Sequence, residues 1–285
     1  MKQIPSQPDS TPFGVPTPAG RAIAVLDKSF LDAVGAAQLQ YHAQHGVTFV
    51  VPEALLYELR RKQDKRRTAD LMKLHLVERS VIILPGIGEM FRAKTREHRP
   101  AQSVLRAKRV EFLVTRASSG KIFPLTDRER RSMNERTKEL QSGLSKLIDV
   151  WRSFHAKIES LKDASPKEIP ERLGALCREI RDDKESMRSF YGNHRTRIYP
   201  APELIDERWT LFRWIQVYLL AGLDFLERHG LTSEPNPEDL LHERIDLDYT
   251  IPALLVGGLA CCEKRMIERF KFLRPDGFVL RHLSN

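Results

Sequence analysis

The sequence predicts an α/β protein: a small parallel sheet with flanking helices, interrupted by a large α-helical insertion. Short apolar runs rich in β-branched residues lie near both ends of the chain. AIAVLD (22–27) and VTFVV (47–51) come early, LLVGGLACC (254–262) and GFVLRHL (277–283) late. Such runs suit strands buried on both faces, as a parallel sheet buries them. From about 102 to 229 the apolar residues recur every three or four positions instead, which is the period of amphipathic helices.

Taken in order, residues 1–20 are rich in Pro, Ser and Thr and contain no apolar signal-peptide core, so they predict a flexible arm. The first ordered element is expected near Arg21. Between the first two strands, SFLDAVGAAQLQYHAQHG predicts a helix with Phe30, Leu31, Val34 and Leu39 inward and Gly46 as its stop. A second helix is expected from about Glu53 to Glu78, its outer face carrying RRKQDKRR. VIIL (81–84) predicts a third strand, ended by Pro85.

The middle of the chain predicts helices. TDRE (126–129) has the capping-box pattern, with Thr126 as N-cap and Glu129 three residues on. A long helix is expected to follow through Leu161, then another at 171–190, then a third that starts near YPAPE (199–203) and closes at Gly230. The helices at 127–161 and 171–190 suit an antiparallel hairpin, whose outer faces are candidate surfaces for a protein partner. The expected organisation is thus an arm (1–20), one half of a sheet domain (21–85), a basic and helical insertion (86–236) and the second half (237–285).

Composition narrows the function classes. No apolar run approaches a membrane span. The three cysteines (Cys177, Cys261 and Cys262) show neither CxxC nor zinc spacing, and their odd count argues against a disulfide framework, so a reducing, cytoplasmic setting is expected. Gly86-Ile-Gly88 lacks the third glycine of a dinucleotide loop, and no phosphate-binding GxxxxGK[ST] occurs. The net charge is +9, and residues 86–138 hold 14 Lys and Arg against 6 Asp and Glu. A surplus so concentrated points to a polyanion such as RNA or DNA, or to a solvated basic helical face.

The chemistry-bearing residues are acids at the ends of the expected elements. Asp27 ends the first strand, where an open parallel sheet places its ligands, though Asp is also common in turns and caps. Ser29, two residues on, is placed to hydrogen-bond Asp27 or a metal-bound water. Glu58 borders the apolar face Leu55, Leu56, Leu59 and needs a cation, a metal or a hydrogen bond there. Glu53 competes with it but fits a helix start. Asp246 and Asp248 open the segment before YTIPALL, and of the two Asp246 is favoured for the site. Glu263 follows the run LLVGGLACC. His42 and His45 are expected to face solvent, Cys262 to be a buried small hydrophobe, and Trp151, Trp209 and Trp214 to belong to the core.

This series of a strand-exit Asp (VLDKSFL), a helical Glu (EALLYEL), a late Asp (IDLDY) and a last strand-exit acid (LACCEKRM) resembles the PIN-like nuclease fold. FKFLRPDGFVL is similar to the strand ending of such domains. That family commonly places Ser, Thr or Asn two residues after its first Asp, as Ser29 follows Asp27, and its late motif commonly reads strand, small hydroxyl, Asp. Here that stretch is Cys261-Cys262-Glu263. The resemblance covers about 110 residues at the two ends of the chain. It implies a site that gathers carboxylates around Mg²⁺ or Mn²⁺: Asp27, Asp246 and Glu263 as metal ligands, Glu58 as a further ligand or one acting through water, with Ser29 and Asp248 beside them. It implies metal-dependent hydrolysis of phosphodiester bonds, with RNA favoured over DNA. The alternative is a PIN-like module that binds nucleic acid or protein without cleaving.

Overall fold

A computed structural model of the chain describes residues 22–84, 86–88, 90, 124–140, 167–192, 201–229 and 236–282. The expected arm at 1–20, most of the basic stretch, the helix beyond residue 140 with Trp151, and the stops at Pro85 and Gly230 lie outside these residues. The chain divides into two compact units. The described residues of one are 22–84, 124–125 and 256–282; those of the other fall within 86–90 and 126–255.

The first unit is built on a five-stranded, all-parallel sheet. β1 (Ala22–Leu26) leads through α1 (Lys28–Ala33) and α2 (Ala36–Gln44) to β2 (Val47–Val51). α3 (Glu53–Arg61) and α4 (Asp64–His75) then lead to β3 (Val81–Ile83). β4 (Gly258–Ala260) crosses to β5 (Phe278–Leu280), and the order across the sheet is β3-β2-β1-β4-β5. The central strands are buried on both faces, with Ala24, Val25, Leu26, Phe49 and Val50 inaccessible to solvent.

Two expected helices are each broken in two. The single helix expected between β1 and β2 divides at Val34 and Gly35, both extended, so that α2 starts afresh with Gly35 as its cap. Gly46 stops α2 as expected, at a φ of 88°. The helix expected over 53–78 breaks at Lys62, whose backbone is extended and whose side chain is drawn to Asp32 on α1 and Asp70 on α4. Tertiary ion pairs there outweigh a local preference that is helical throughout.

The second unit is helical. A helix over 127–140, α5, starts with the expected capping box. Thr126 N–H donates to Glu129 Oε2 at 2.8 Å, and Glu129 N–H to Thr126 Oγ1 at 3.3 Å. The segment expected as one helix over 171–190 is two, α6 (Ile169–Asp182) and α7 (Lys184–Gly192). Asp183 separates them and caps α7 by accepting from Glu185 and Ser186 N–H. α8 (Thr210–His229) packs on α6 and α7, and buried Gln216, which accepts from Arg213, donates to the α6 carbonyls of Ile180 and Arg181. Trp209 is in the core, as expected.

The largest correction concerns residues 254–256. They belong not to a strand but to the end of α9 (Pro237–Val256), which runs through IDLDYTIPALLV and carries Pro252 inside it. Gly257, at a φ of 90°, ends that helix, and β4 begins only at Gly258. Asp246 and Asp248 therefore lie in mid-helix, not at the opening of a segment. FKFL (270–273) is also helical, as the end of α10 (Lys264–Leu273), and only FVL after it is a strand.

Among the described residues no helix is long and apolar enough to cross a membrane.

Candidate functional site

The strand order creates one place where crossovers diverge. β1 hands on to β2 on one side, and β4 hands on to β5 on the other. The crevice beyond the carboxyl ends of β1 and β4 is therefore the ligand position that such sheets offer. Asp27 and Cys261 stand at it. The Asp27 N–H continues the sheet by donating to Ala260 O at 2.9 Å, and the Cys261 N–H donates to Leu280 O at 3.0 Å.

Asp27 is 3% exposed. Its side chain turns back to cap α1, and Oδ2 accepts from the Ser29 N–H at 2.9 Å and from the Ser29 hydroxyl. The Cys261 thiol donates to the same oxygen from 3.4 Å. Ser29 Oγ in turn accepts from the Cys262 N–H at 3.0 Å, and Cys261 Sγ from the Glu263 N–H at 3.2 Å. The two strand exits are thus laced together around one carboxylate oxygen. No ion-pair partner of Asp27 occurs among the described residues; neutral donors compensate its charge.

Burial, reinforced by the Asp27 carboxylate, pushes the Cys261 thiol well above the usual thiol range. It stays protonated and acts as a donor, not as a nucleophile. The expectation for Cys262 is corrected: it is exposed, and Cys261 is the buried member of the pair. Successive residues leaving a strand point to opposite sides, so only one of two adjacent cysteines can face the core. Burial also raises the Cys262 thiol, helped by Asp27 and Glu263 and opposed by the His282 N–H.

The other predicted residues divide between the units. Glu263 occupies the N-cap position of α10 at the same edge of the sheet, without a side-chain capping hydrogen bond. Glu58 lies on α3 and has the cation its burial called for: Lys28 Nζ is 3.7 Å from Glu58 Oε1. Glu53 is exposed at the start of α3. Asp246 and Asp248 belong to α9 of the helical unit, and Asp248 is ion-paired to Arg244 one turn before it. Within the sheet unit, then, Asp27 and Ser29 are joined directly and Glu263 shares their edge. Among the described residues no group of three or more His, Cys, Asp or Glu side chains is placed to hold a metal ion.

His42 corrects a further expectation. It is fully buried, on the α2 face that also buries Gln38 and Leu39, and neither ring nitrogen has a hydrogen-bond partner among the described residues. His45 is exposed and stacks on Tyr41 at a centroid distance of 3.9 Å.

Sequence reasoning missed Cys261 and Lys28. Strand alternation carries a signal for Cys261, since β4 is buried throughout and its exit must turn one cysteine inward. No local signal pairs Lys28 with Glu58, because it takes the fold to bring α1 beside α3.

Compared with protein-family models, with curated proteins and with solved structures, the chain matches none.

Proposed function

We propose that this protein is a PIN-like, divalent-cation-dependent hydrolase of phosphodiester bonds, acting on RNA in preference to DNA. The observation that carries the reading is Asp27: a buried carboxylate without a cationic partner, held by neutral donors at the point where the crossovers diverge.

The residues of the sheet unit suit Mg²⁺ or Mn²⁺ in a particular way. Such ions take hard oxygen ligands and are commonly held by one or two carboxylates, keeping several waters and substrate oxygens. Asp27 and Glu263 are the two carboxylates at this edge that would hold it. When bound, the ion would activate water and stabilise charge on the phosphate. The protein's own part is positional. Ser29 and Cys261 fix the Asp27 carboxylate, and Lys28 pairs with Glu58 beside α1. Exposed Arg61, Lys65 and Arg66 suit contacts to a phosphate backbone, which position a nucleic acid without reading its bases.

The test is cleavage of labelled single-stranded RNA, tRNA and DNA with Mn²⁺, Mg²⁺ or a chelator, comparing wild type with Asp27→Asn. Asn caps helices about as well as Asp, so the variant keeps its fold while losing the charge. Metal-dependent cutting that the variant loses supports the reading; cutting that it retains ends it.

A second reading is a module that binds nucleic acid without cutting. The Lys28–Glu58 pair favours it, because it occupies one of the carboxylates a metal would use. It predicts binding that weakens steeply with salt, with no cleavage under any divalent ion.

A further inference from the structure

The hydrogen bonds that begin at Asp27 run on across the sheet. Leu26, Ala260 and Leu280 are in register on β1, β4 and β5. Cys262 and His282, each two residues further on, therefore leave the carboxyl edge side by side. Ser29 Oγ, bonded to Asp27, accepts from the Cys262 N–H at 3.0 Å, and the Cys262 thiol accepts from the His282 N–H. The His282 ring turns to α2: Nδ1 lies 3.1 Å from Oε1 of Gln38, a residue in the first turn of that helix and 5% exposed. An amide oxygen can only accept, so Nδ1 carries the proton of the neutral ring and Nε2 keeps its lone pair. Nε2 has no partner among the described residues and is not buried, so it is open to solvent.

We propose that His282 is the general base of the hydrolytic site and that Gln38 is the residue that positions it. The inference rests on the hydrolytic reading and adds to it a catalytic residue on the far side of the crevice. β1 and β5 flank β4, and with strands about 4.8 Å apart the backbones that carry Asp27 and His282 stand about 10 Å apart. The two side chains can therefore act on one phosphodiester from opposite sides. Nε2 takes a proton from the attacking water as the water oxygen bonds to phosphorus. The bond from phosphorus to the leaving sugar oxygen breaks, that oxygen takes a proton from solvent, and His282 then returns its own proton to solvent. A hydrogen bond at one ring nitrogen is what fixes the tautomer and leaves the other nitrogen ready for such a transfer. The other described histidines of the sheet unit are placed otherwise. His42 is sealed in the core, and His45 and His75 precede β2 and β3, at the opposite edge of the sheet.

The experiment makes two measurements on the full chain. Long-range proton–nitrogen NMR, without metal or RNA and at mildly alkaline pH, reads the His282 ring, which is identified by its loss in His282→Ala. The expected ring is protonated at Nδ1 in wild type and at Nε2 in Gln38→Leu. Cleavage of labelled single-stranded RNA with Mn²⁺ then separates kcat from KM. His282→Ala should lower kcat about 100-fold or more with little change in KM, and added imidazole should restore part of the loss. Gln38→Leu, in a variant with a normal melting curve, should lower kcat about tenfold or more. A wild-type ring protonated at Nε2, full kcat in His282→Ala, or a loss there confined to KM would each overturn the base and leave the hydrolytic reading standing. No cleavage by wild type under any divalent ion would overturn that reading and the base with it.

Discussion

Lys28 on α1 faces Glu58 on α3 at 3.7 Å, and four residues further along from each the signs reverse, with Asp32 on α1 facing Lys62, the residue that ends α3. This alternation sets a register. A slip of one turn in either direction would bring Lys28 against Lys62 or Asp32 against Glu58, like against like. The helix that carries Glu58 is thereby fixed against the one that Asp27 starts.

The Lys28–Glu58 pair itself contributes little to stability. Lys28 is partly exposed, and solvent screening leaves such a pair worth about 0.5 kcal/mol. A double-mutant cycle of Lys28→Met and Glu58→Gln, followed by urea unfolding, should give a coupling near that size. A coupling above about 2 kcal/mol would mean that the pair is far better shielded than its exposure indicates.

Lys62 should matter more. Burial alone would lower its pKa, but hydrogen bonds to Asp32 and Asp70 outweigh burial and raise it above the ordinary 10.5. A raised folded-state value means stability that is complete below 10.5 and declines as pH rises through the folded value. Lys62→Met should cost about 2–3 kcal/mol near neutrality, because it leaves buried Asp70 with Lys73 alone. It should also flatten the alkaline decline. Thermal melts from pH 8 to 11 measure both effects, and an unchanged alkaline slope would show that Lys62 is not the titrating group.

His42 predicts sensitivity at the other end of the pH scale. Burial, and then His45, lower its pKa below 6.5, so the unfolded chain binds the proton more readily. Stability should therefore fall as pH drops below 6.5. Two buried ring nitrogens without partners among the described residues also carry a desolvation cost of about 1–3 kcal/mol. His42→Leu should raise the melting temperature at pH 7 and raise it further at pH 5. A lower melting temperature at both values would show that the ring is satisfied by a partner or a water.

Gly258 is where packing demands glycine. A Cβ there would overlap the Ile23 carbonyl oxygen on β1 and the Phe278 ring on β5. Gly258→Ala should destabilise by about 3 kcal/mol, since the strands on both sides would have to move. A wild-type urea midpoint in that variant would contradict so tight a fit.

What the sequence disclosed follows from how local its causes are. β1 and β2 were legible because short, almost wholly apolar runs that include β-branched residues have few other uses. The capping box at Thr126 and the stop at Gly46 were legible because their causes span four residues or fewer. Leu254, Leu255 and Val256 misled, because the end of a buried helix and a buried strand present the same apolar letters; only the positive φ of Gly257 separates them. The breaks at Gly35 and Lys62 depend on packing and on distant charges.

The site was half legible for the same reason. Asp27 and Ser29 lie two residues apart, and their hydrogen bonds are local. Glu263 could be placed at an edge but not given neighbours. Cys261 reaches Asp27 from the neighbouring strand, 234 residues away in the chain. Relationships of that kind are products of the fold, and the pattern of apolar and polar letters does not contain them.

The sheet order also dictates a timetable. β1 meets β2 across a short crossover, yet its other neighbour, β4, is made only after the helical unit, and Asp27 and Cys261 are 234 residues apart in the chain. Loop closure over that distance is slow compared with pairing β1 to β2 and β3. A newly synthesised chain therefore carries a three-stranded half-sheet whose hydrophobic edge, β1, waits unpaired, and such an edge invites association between chains. Pulsed hydrogen exchange during refolding should find β1 and β2 protected before β4. The residues that close the crevice are also the ones that end this exposure, so the protein gains its candidate site and loses its most aggregation-prone surface in a single step.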